Sequence, residues 1–192
     1  MSFAPVHPAV ATEPLSQKTG VAAVSRRRIS GPQHDARPPM ITAYYSTVLE
    51  HPVDRAWSLI RDFNNYPAYI DGVTASVIED NKRGDEIGAV RCFKYGENWI
   101  RQRLSDHSDA RRSLSYVGIE LFAFPAGRMA DPPTPVRYEG TIHLLPIVDD
   151  DRTFIEWPVT LHTTPGEEEP WQELFMSWIP EWTDSLRRAL AK

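Results

Sequence analysis

Residues 167–192 constrain the fold more than any other stretch of this sequence. Apolar side chains recur there at the i, i+3, i+4 and i+7 spacing of an amphipathic α-helix. The predicted apolar face is rich in aromatic rings and consists of Trp171, Leu174, Phe175, Trp178, Trp182, Leu186 and Leu190. Such a face has to be covered by a second layer, so its rings form either plain core or, in part, the wall of a ligand cavity. Pro180 cannot donate a backbone hydrogen bond, so we expect the helix to bend or break there.

The preceding part of the chain is dominated by β-strand patterns. Runs of β-branched and aromatic residues bounded by turn residues predict strands at 41–50, 73–79, 88–95, 99–106, 113–121, 136–148 and 152–163. Helical patterns at 53–63 and 66–70 follow the first strand. Residues 122–134 are rich in proline and predict a loop. We hypothesise that this loop acts as a lid through Phe122, Phe124 and Met129.

Consecutive strands joined by short turns predict an antiparallel sheet with one face in water and the other covered. Only the helix at 167–192 is long and apolar enough to cover that face. The predicted fold class is therefore α+β, with a curved seven-stranded antiparallel sheet around a long C-terminal helix and two short helices after the first strand.

Residues 1–39 differ from the rest of the chain. They contain several prolines and no sustained apolar periodicity, which predicts a disordered N-terminal tail in front of a folded domain at 40–192. No apolar run has the roughly 20 residues that a membrane-spanning helix needs, so we expect no integral membrane association. Cys92 has no second cysteine to pair with, which favours a reducing compartment, and we expect a cytoplasmic protein.

Charge and motifs exclude several classes of function. The formal net charge is −5, whereas nucleic-acid binding requires a basic surface. The six histidines have no metal-ligand spacing, and neither a phosphate-binding glycine loop nor a dinucleotide fingerprint occurs. We therefore expect no nucleic acid, no metal and no cofactor. The sequence leaves the oligomeric state open, and a homodimer is compatible with it.

Strand alternation predicts which side chains point to the covered face. Arg101 and Arg103 prefer water, so their neighbours Ile100, Gln102 and Leu104 point inward. The same reasoning selects the sets 73/75/77, 138/140/142/144 and 155/157/159/161. Two strands stay ambiguous by this reasoning. Arg91, Phe93 and Tyr95 alternate with residues of similar polarity, as do Tyr116 and Glu120.

Seven short segments carry a resemblance to a known family. They are PVDRAW at 52–57, DFNNYP at 62–67, GAVR at 88–91, QRL at 102–104, SY at 115–116, YEGTI at 138–142 and EW at 156–157. In this order and spacing the chain resembles the START/Bet v 1-like (SRPBCC) superfamily, and within it the polyketide cyclase/dehydrase-like family. The resemblance implies a helix-grip fold with an internal cavity for a hydrophobic molecule, and it places Arg91 and Tyr116 inward.

The inward sets and the resemblance together suggest a mostly aromatic cavity with a few polar groups. The candidate ligand-binding residues are Phe93, Ile100, Tyr138, Ile142, Trp157, Trp171, Phe175, Trp178 and Trp182. The candidate catalytic residues are Arg91, Tyr116 and Gln102. An inward arginine could polarise a carbonyl group while a tyrosine moves a proton.

Two observations limit the catalytic interpretation. Arg91 has structural alternatives, namely an ion pair with a residue such as Glu120 or a position at the cavity rim. Gln102 stands where related sequences often have a carboxylate, and an amide cannot act as a general base. We therefore expect a protein that binds a small aromatic or polyketide-like molecule, and the first interpretation is that it catalyses the cyclisation, aromatisation or dehydration of that molecule. The alternative is a non-catalytic carrier or sensor of a hydrophobic ligand or lipid.

Overall fold

A computed structural model describes residues 38–192. The predicted disordered tail therefore lies outside the described residues, except for Pro38 and Pro39. The carbonyl oxygen of Pro39 accepts a hydrogen bond from the Thr163 amide at 2.9 Å.

Seven antiparallel strands form one sheet. They are β1 (Met40–Leu49), β2 (Val73–Ile78), β3 (Val90–Tyr95), β4 (Asn98–Ser108), β5 (Ser113–Gly118), β6 (Arg137–Ile147) and β7 (Arg152–His162). The strand order is β1-β7-β6-β5-β4-β3-β2, so β2 to β7 form a meander and β1 pairs with β7 at its edge. This topology confirms the predicted fold class.

The helices α1 (Val53–Ile60) and α2 (Tyr66–Tyr69) separate β1 from β2, and the long helix α3 (Glu168–Leu190) follows β7. The helix α1 is shorter than the predicted 53–63. Phe63, which was expected on its apolar face, lies beyond the helix and is fully buried, and its amide donates to the carbonyl of Gly84 at 2.8 Å. Among residues 38–192, no helix is long and apolar enough to cross a membrane.

The helix α3 buries the predicted aromatic face against the concave side of the sheet. It runs without interruption through Pro180, so the break that the sequence allowed does not occur. The carbonyl that Pro180 leaves without a donor belongs to Met176, a residue on the outer side of the helix that is 38% exposed. Because water can reach that side, the missing bond does not leave an unpaired group in the core.

The predicted inward sets of three strands are confirmed by burial. Gln102 and Leu104 in β4 are buried, and so are the alternate residues of β6 and β7. The prediction for β2 is wrong beyond Val73, because Val77 is 52% exposed. A β-bulge between Val73 and Ala75 shifts the alternation by one residue, which turns Val77 outward.

Candidate ligand-binding site

A cavity with a volume of about 40 Å³ lies between the concave face of the sheet and α3. Its wall is almost entirely aromatic and aliphatic. It consists of Tyr66, Ile70, Val73, Phe93, Tyr95, Ile100, Gln102, Tyr116, Phe122, Tyr138, Trp157, Phe175, Trp178 and Trp182. Side chains of α3 form one side of the cavity, and the strands from β2 to β7 form the opposite side.

Nine of the twelve predicted site residues line this cavity, and Arg91, Ile142 and Trp171 do not. Ile142 is fully buried in the core. Trp171 is also fully buried, with its ring 5.0 Å from the ring of Phe124 and 6.0 Å from that of Phe122. The aromatic face of α3 is therefore divided, with Trp171 in the core and Phe175, Trp178 and Trp182 on the cavity.

Sequence reasoning did not name five lining residues as ligand-binding, namely Tyr66, Ile70, Val73, Tyr95 and Phe122. Tyr66 and Ile70 come from the region of α2, which strand alternation does not cover. Tyr95 continues the alternation of Arg91 and Phe93, a set that the sequence left ambiguous. The signal for Phe122 was its place in the loop that we hypothesised to be a lid.

Two tyrosines lie flat on the sheet because each one faces a glycine of the neighbouring strand. Tyr116 in β5 pairs with Gly140 in β6. A Cβ atom added to Gly140 would lie 2.5 Å from the Tyr116 hydroxyl, and one added to Gly118 would lie 2.2 Å from the Tyr138 ring. The sequence carries the signal as a repeated Tyr-x-Gly pattern at 116–118 and 138–140. Antiparallel pairing brings each tyrosine over the glycine of the other repeat.

Arg91 is linked to the cavity wall by hydrogen bonds to Gln102. The Nε atom of Arg91 donates to Oε1 of Gln102 at 3.1 Å, and its Nη2 atom donates to the same oxygen. A guanidinium has only donors, so the amide oxygen of Gln102 must face it. The amide nitrogen then points the other way and donates to the Tyr138 hydroxyl at 2.9 Å.

The two expected alternatives for Arg91 are both wrong. Glu120 is exposed and accepts a hydrogen bond from Arg101 at 2.8 Å on the outer surface, because β5 ends at Gly118 and the alternation does not reach residue 120. Arg91 does not reach a rim either, since it is fully buried. Its guanidinium also donates to the Phe63 carbonyl and lies 3.3 Å from the centre of the Tyr66 ring. This is a cation–π contact.

The hydroxyl oxygens of Tyr116 and Tyr138, which line the cavity, each accept a hydrogen bond. The indole nitrogen of Trp157 donates to the Tyr116 hydroxyl at 3.0 Å, as Gln102 does to Tyr138. Neither hydroxyl has an acceptor for its own hydrogen within residues 38–192. Burial raises the pKa of Tyr116 well above its ordinary value, and burial likewise raises the pKa of Tyr138. Both are therefore neutral phenols at physiological pH, with hydrogens available to a ligand.

A larger groove of about 730 Å³ lies outside the cavity, between the β3–β4 turn, the loop after β5 and the middle of α3. It shares five wall residues with the cavity, namely Tyr95, Ile100, Phe122, Tyr138 and Trp178. The Phe122 ring lies 6.1 Å from the Trp178 ring, and the guanidinium of Arg128 lies 5.6 Å from the centre of the same indole. Phe122 and Phe124 are half-buried, while Met129 is 40% exposed. The lid function of this loop stays a prediction.

The described residues hold no group of three or more His, Cys, Asp or Glu side chains placed to bind a metal ion. The cavity itself is the feature that defines the class of protein. A curved sheet closed over a long helix, with an apolar pocket between them, is the architecture of a helix-grip ligand-binding domain.

Residues 40–192 match the model of the family described as polyketide cyclase/dehydrase and lipid transport. The chain belongs to this family, within the START/Bet v 1-like superfamily. Family membership and fold support the binding of a hydrophobic ligand in general.

Solved structures show the same fold. A protein of Nitrosospira multiformis has 27% sequence identity and a TM-score of 0.57, over 80% of this chain and 94% of that one. The XoxI protein of Bacillus cereus has 20% identity and a TM-score of 0.63, over 79% and 96%. The Bet v 1-like protein Ara h 8.0201 has 13% identity and a TM-score of 0.57, over 80% and 100%. No curated protein sequence matches the chain significantly.

Proposed function

We propose that this protein binds a small, flat hydrophobic molecule, aromatic or polyketide-like, that carries a hydrogen-bond-accepting oxygen. One observation carries the proposal. The aromatic cavity wall includes Gln102, Tyr116 and Tyr138, which each keep a polar hydrogen without an acceptor among residues 38–192. A carbonyl or phenolic oxygen satisfies these donors, whereas a pure hydrocarbon leaves them unpaired in an apolar site.

The ligand needs more room than the cavity has in this conformation. A volume of about 40 Å³ holds only a few water molecules, whereas sites for small organic ligands span roughly 300–1,000 Å³. The outer groove supplies that volume when the shared side chains turn aside. Phe122 and Trp178 separate the two spaces, and Phe122 belongs to the loop, so its displacement is the simplest opening. In this proposal the loop at 122–134 is the lid.

A matched pair of naphthalenes tests the proposal through quenching of tryptophan fluorescence. In 1-acetonaphthone a carbonyl replaces the inner methylene of 1-ethylnaphthalene, and the two are otherwise alike. We expect both to bind and to quench Trp157, Trp178 and Trp182. The preference for the ketone should fall roughly fivefold in Tyr138→Phe, since one net hydrogen bond contributes about 1 kcal/mol.

The control variant is Trp99→Phe. Trp99 is 57% exposed and lines the outer groove but not the cavity. Quenching should persist in this variant if the ligand enters the cavity. The proposal fails if neither compound quenches the wild-type protein, or if the quenching disappears in Trp99→Phe.

A second candidate is an enzyme that cyclises the bound molecule. The hydrogen-bonded chain Arg91–Gln102–Tyr138 and the side chain of Tyr116 meet at one cavity. This arrangement favours an enzyme, because preorganised donors stabilise an oxyanion. Within the described residues, the cavity wall has no carboxylate, histidine or lysine to remove a proton. Binding without chemistry, as in a carrier or sensor, is therefore favoured over catalysis.

Cyclisation has a direct assay. In 2,6-heptanedione a carbon next to one carbonyl can attack the other carbonyl carbon, and loss of water then gives 3-methylcyclohex-2-enone, whose conjugated absorbance is easily followed. An enzyme should accelerate this reaction, and Tyr138→Phe should slow it about 100-fold, which is the effect of removing one oxyanion donor. Tyr44→Phe is the surface control, since Tyr44 bonds Glu156 on the outer face. If the reaction runs no faster with the wild-type protein than in buffer alone, the protein does not catalyse this cyclisation.

A further inference from the structure

Arg91 carries a positive charge on a side chain that solvent does not reach and that no carboxylate within residues 38–192 pairs with. The side chain is fully buried, and a guanidinium remains protonated in proteins. Its hydrogen-bond partners are two neutral oxygens, on Gln102 and Phe63, and it forms no ion pair within residues 38–192. The rings of Phe63 and Tyr66 flank it at 3.8 and 3.3 Å. Neutral acceptors and ring faces reduce the cost of burying a cation, but they do not cancel its charge.

This charge lies directly behind the cavity wall. The guanidinium is 5.1 Å from the centre of the Phe93 ring and 5.8 Å from that of the Tyr116 ring, and both rings line the cavity. Gln102 links Arg91 to the cavity wall, because its amide oxygen accepts from Arg91 and its amide nitrogen donates to Tyr138, a lining residue. The electric field of the cation and the orientation of the donors therefore favour negative charge at the same place.

We propose that the cavity binds its ligand as an oxygen anion, the phenolate or enolate form of a phenolic or enolic molecule. This inference rests on the proposed binding of a flat hydrophobic ligand and adds its ionisation state. The ligand gives its proton to the solvent on binding, because the wall offers no base to accept it. The bound anion is then the missing counter-charge of Arg91.

The geometry favours a single oxygen over a carboxylate. Donors from three separate side chains, Gln102, Tyr116 and Tyr138, face the cavity. Arg91 does not line the wall, so it cannot make the paired hydrogen bonds by which a guanidinium recognises both oxygens of a carboxylate.

The expected selectivity follows from the charge separation. Two unit charges roughly 8 Å apart at an effective dielectric constant of about 20 correspond to an affinity ratio of about 30 between anion and neutral form. By linkage, the same ratio lowers the ionisation midpoint of the bound ligand by about 1.5 pH units.

4-Nitrophenol is a suitable probe because its visible absorbance reports the phenolate. With protein in excess, titration should show the midpoint of the bound probe about 1.5 pH units below that of the free probe. 4-Nitroanisole, the methyl ether, has the same ring system and cannot ionise. We expect it to bind about 30-fold more weakly than nitrophenolate at pH 8, because it lacks the charge that Arg91 attracts.

Arg91→Met should remove most of the midpoint shift, and Arg103→Met is the matched control. Arg103 is an exposed residue of β4 across from Val90, so this variant has the same change in net charge at a solvated site. Surface charges are screened by salt, so Arg103→Met should keep the wild-type shift. If circular dichroism shows that Arg91→Met does not fold, the wild-type midpoint decides the question without any substitution.

The outcomes separate this inference from the proposed function. If 4-nitroanisole quenches tryptophan fluorescence and the nitrophenol midpoint stays unshifted, the protein binds neutral ligands and the anion inference is wrong. If neither compound binds, the proposed binding of aromatic molecules fails as well. Tighter binding of 4-nitrobenzoate than of nitrophenolate at pH 8 overturns the choice of a single oxygen. A shift that survives Arg91→Met in a folded protein overturns the role of Arg91.

Discussion

Replacing Gly118 by alanine tests whether the tyrosine–glycine packing holds the polar chain of the cavity in place. The new Cβ atom would lie 2.2 Å from Cε1 of Tyr138, where ordinary contact begins at 3.4 Å. The ring has to move by that difference, and the movement breaks the 2.9 Å bond from Gln102 to the Tyr138 hydroxyl. Overpacking and a lost buried hydrogen bond together cost about 3 kcal/mol. Urea denaturation of Gly118→Ala should show this loss in the free energy of unfolding.

A double-mutant cycle provides the control. In a Tyr138→Ala background the ring is absent, so Gly118→Ala should cost nothing or stabilise slightly, because alanine restricts the unfolded chain. The backbone at Gly118 is not in the left-handed region, so alanine introduces no strain of its own. Equal costs of Gly118→Ala in both backgrounds, or no cost in either, would refute the reasoning.

Three further outcomes follow from the contacts around the cavity. Phe122→Ala should join the cavity to the outer groove past Trp178 and raise the association rate of 1-acetonaphthone in stopped-flow fluorescence, whereas an unchanged rate places the entrance elsewhere. Burial raises the pKa of Tyr116, so the folded state retains a proton that the unfolded state loses above pH 10. Stability should therefore fall as pH rises beyond about 10, and less steeply in Tyr116→Phe. Hydrogen bonds from Arg61 lower the pKa of Asp109. Its contribution is thus present above about pH 4 and lost on acidification, and acid titration of Asp109→Asn should show a smaller loss.

The sequence contained enough information for the fold because burial on a curved sheet imposes a period of two. Gln102 is an example of what this period predicts. A polar residue between Arg101 and Arg103 was placed inward by alternation alone, and it lies on the cavity. The aromatic face of α3 was also predicted, but helical spacing does not distinguish Trp171, which lies in the core, from Trp178, which lines the cavity.

Other features depend on contacts that no local pattern encodes. The bulge after Val73 adds one residue to β2, and a strict alternation then places Val77 on the wrong face. The partner of Arg91 could not be read from the chain because Phe63 and Tyr66, which flank it, precede β3 and reach it only through folding. The Tyr-x-Gly repeat is the exception. It was visible in the sequence, and pairing of two antiparallel copies would have indicated the flat tyrosines.

The pairing of the first strand with the last one determines when the protein can fold during synthesis. Thr42 in β1 meets Thr160 in β7 across 118 positions of the chain, and α3 follows only after β7. A growing chain on the ribosome therefore holds β1 without its partner until β7 has emerged, and the concave face without its cover until α3 has emerged. Contacts of such long range slow folding and leave apolar strands exposed meanwhile. Chaperone demand should thus be highest for chains that have completed β6 but not α3.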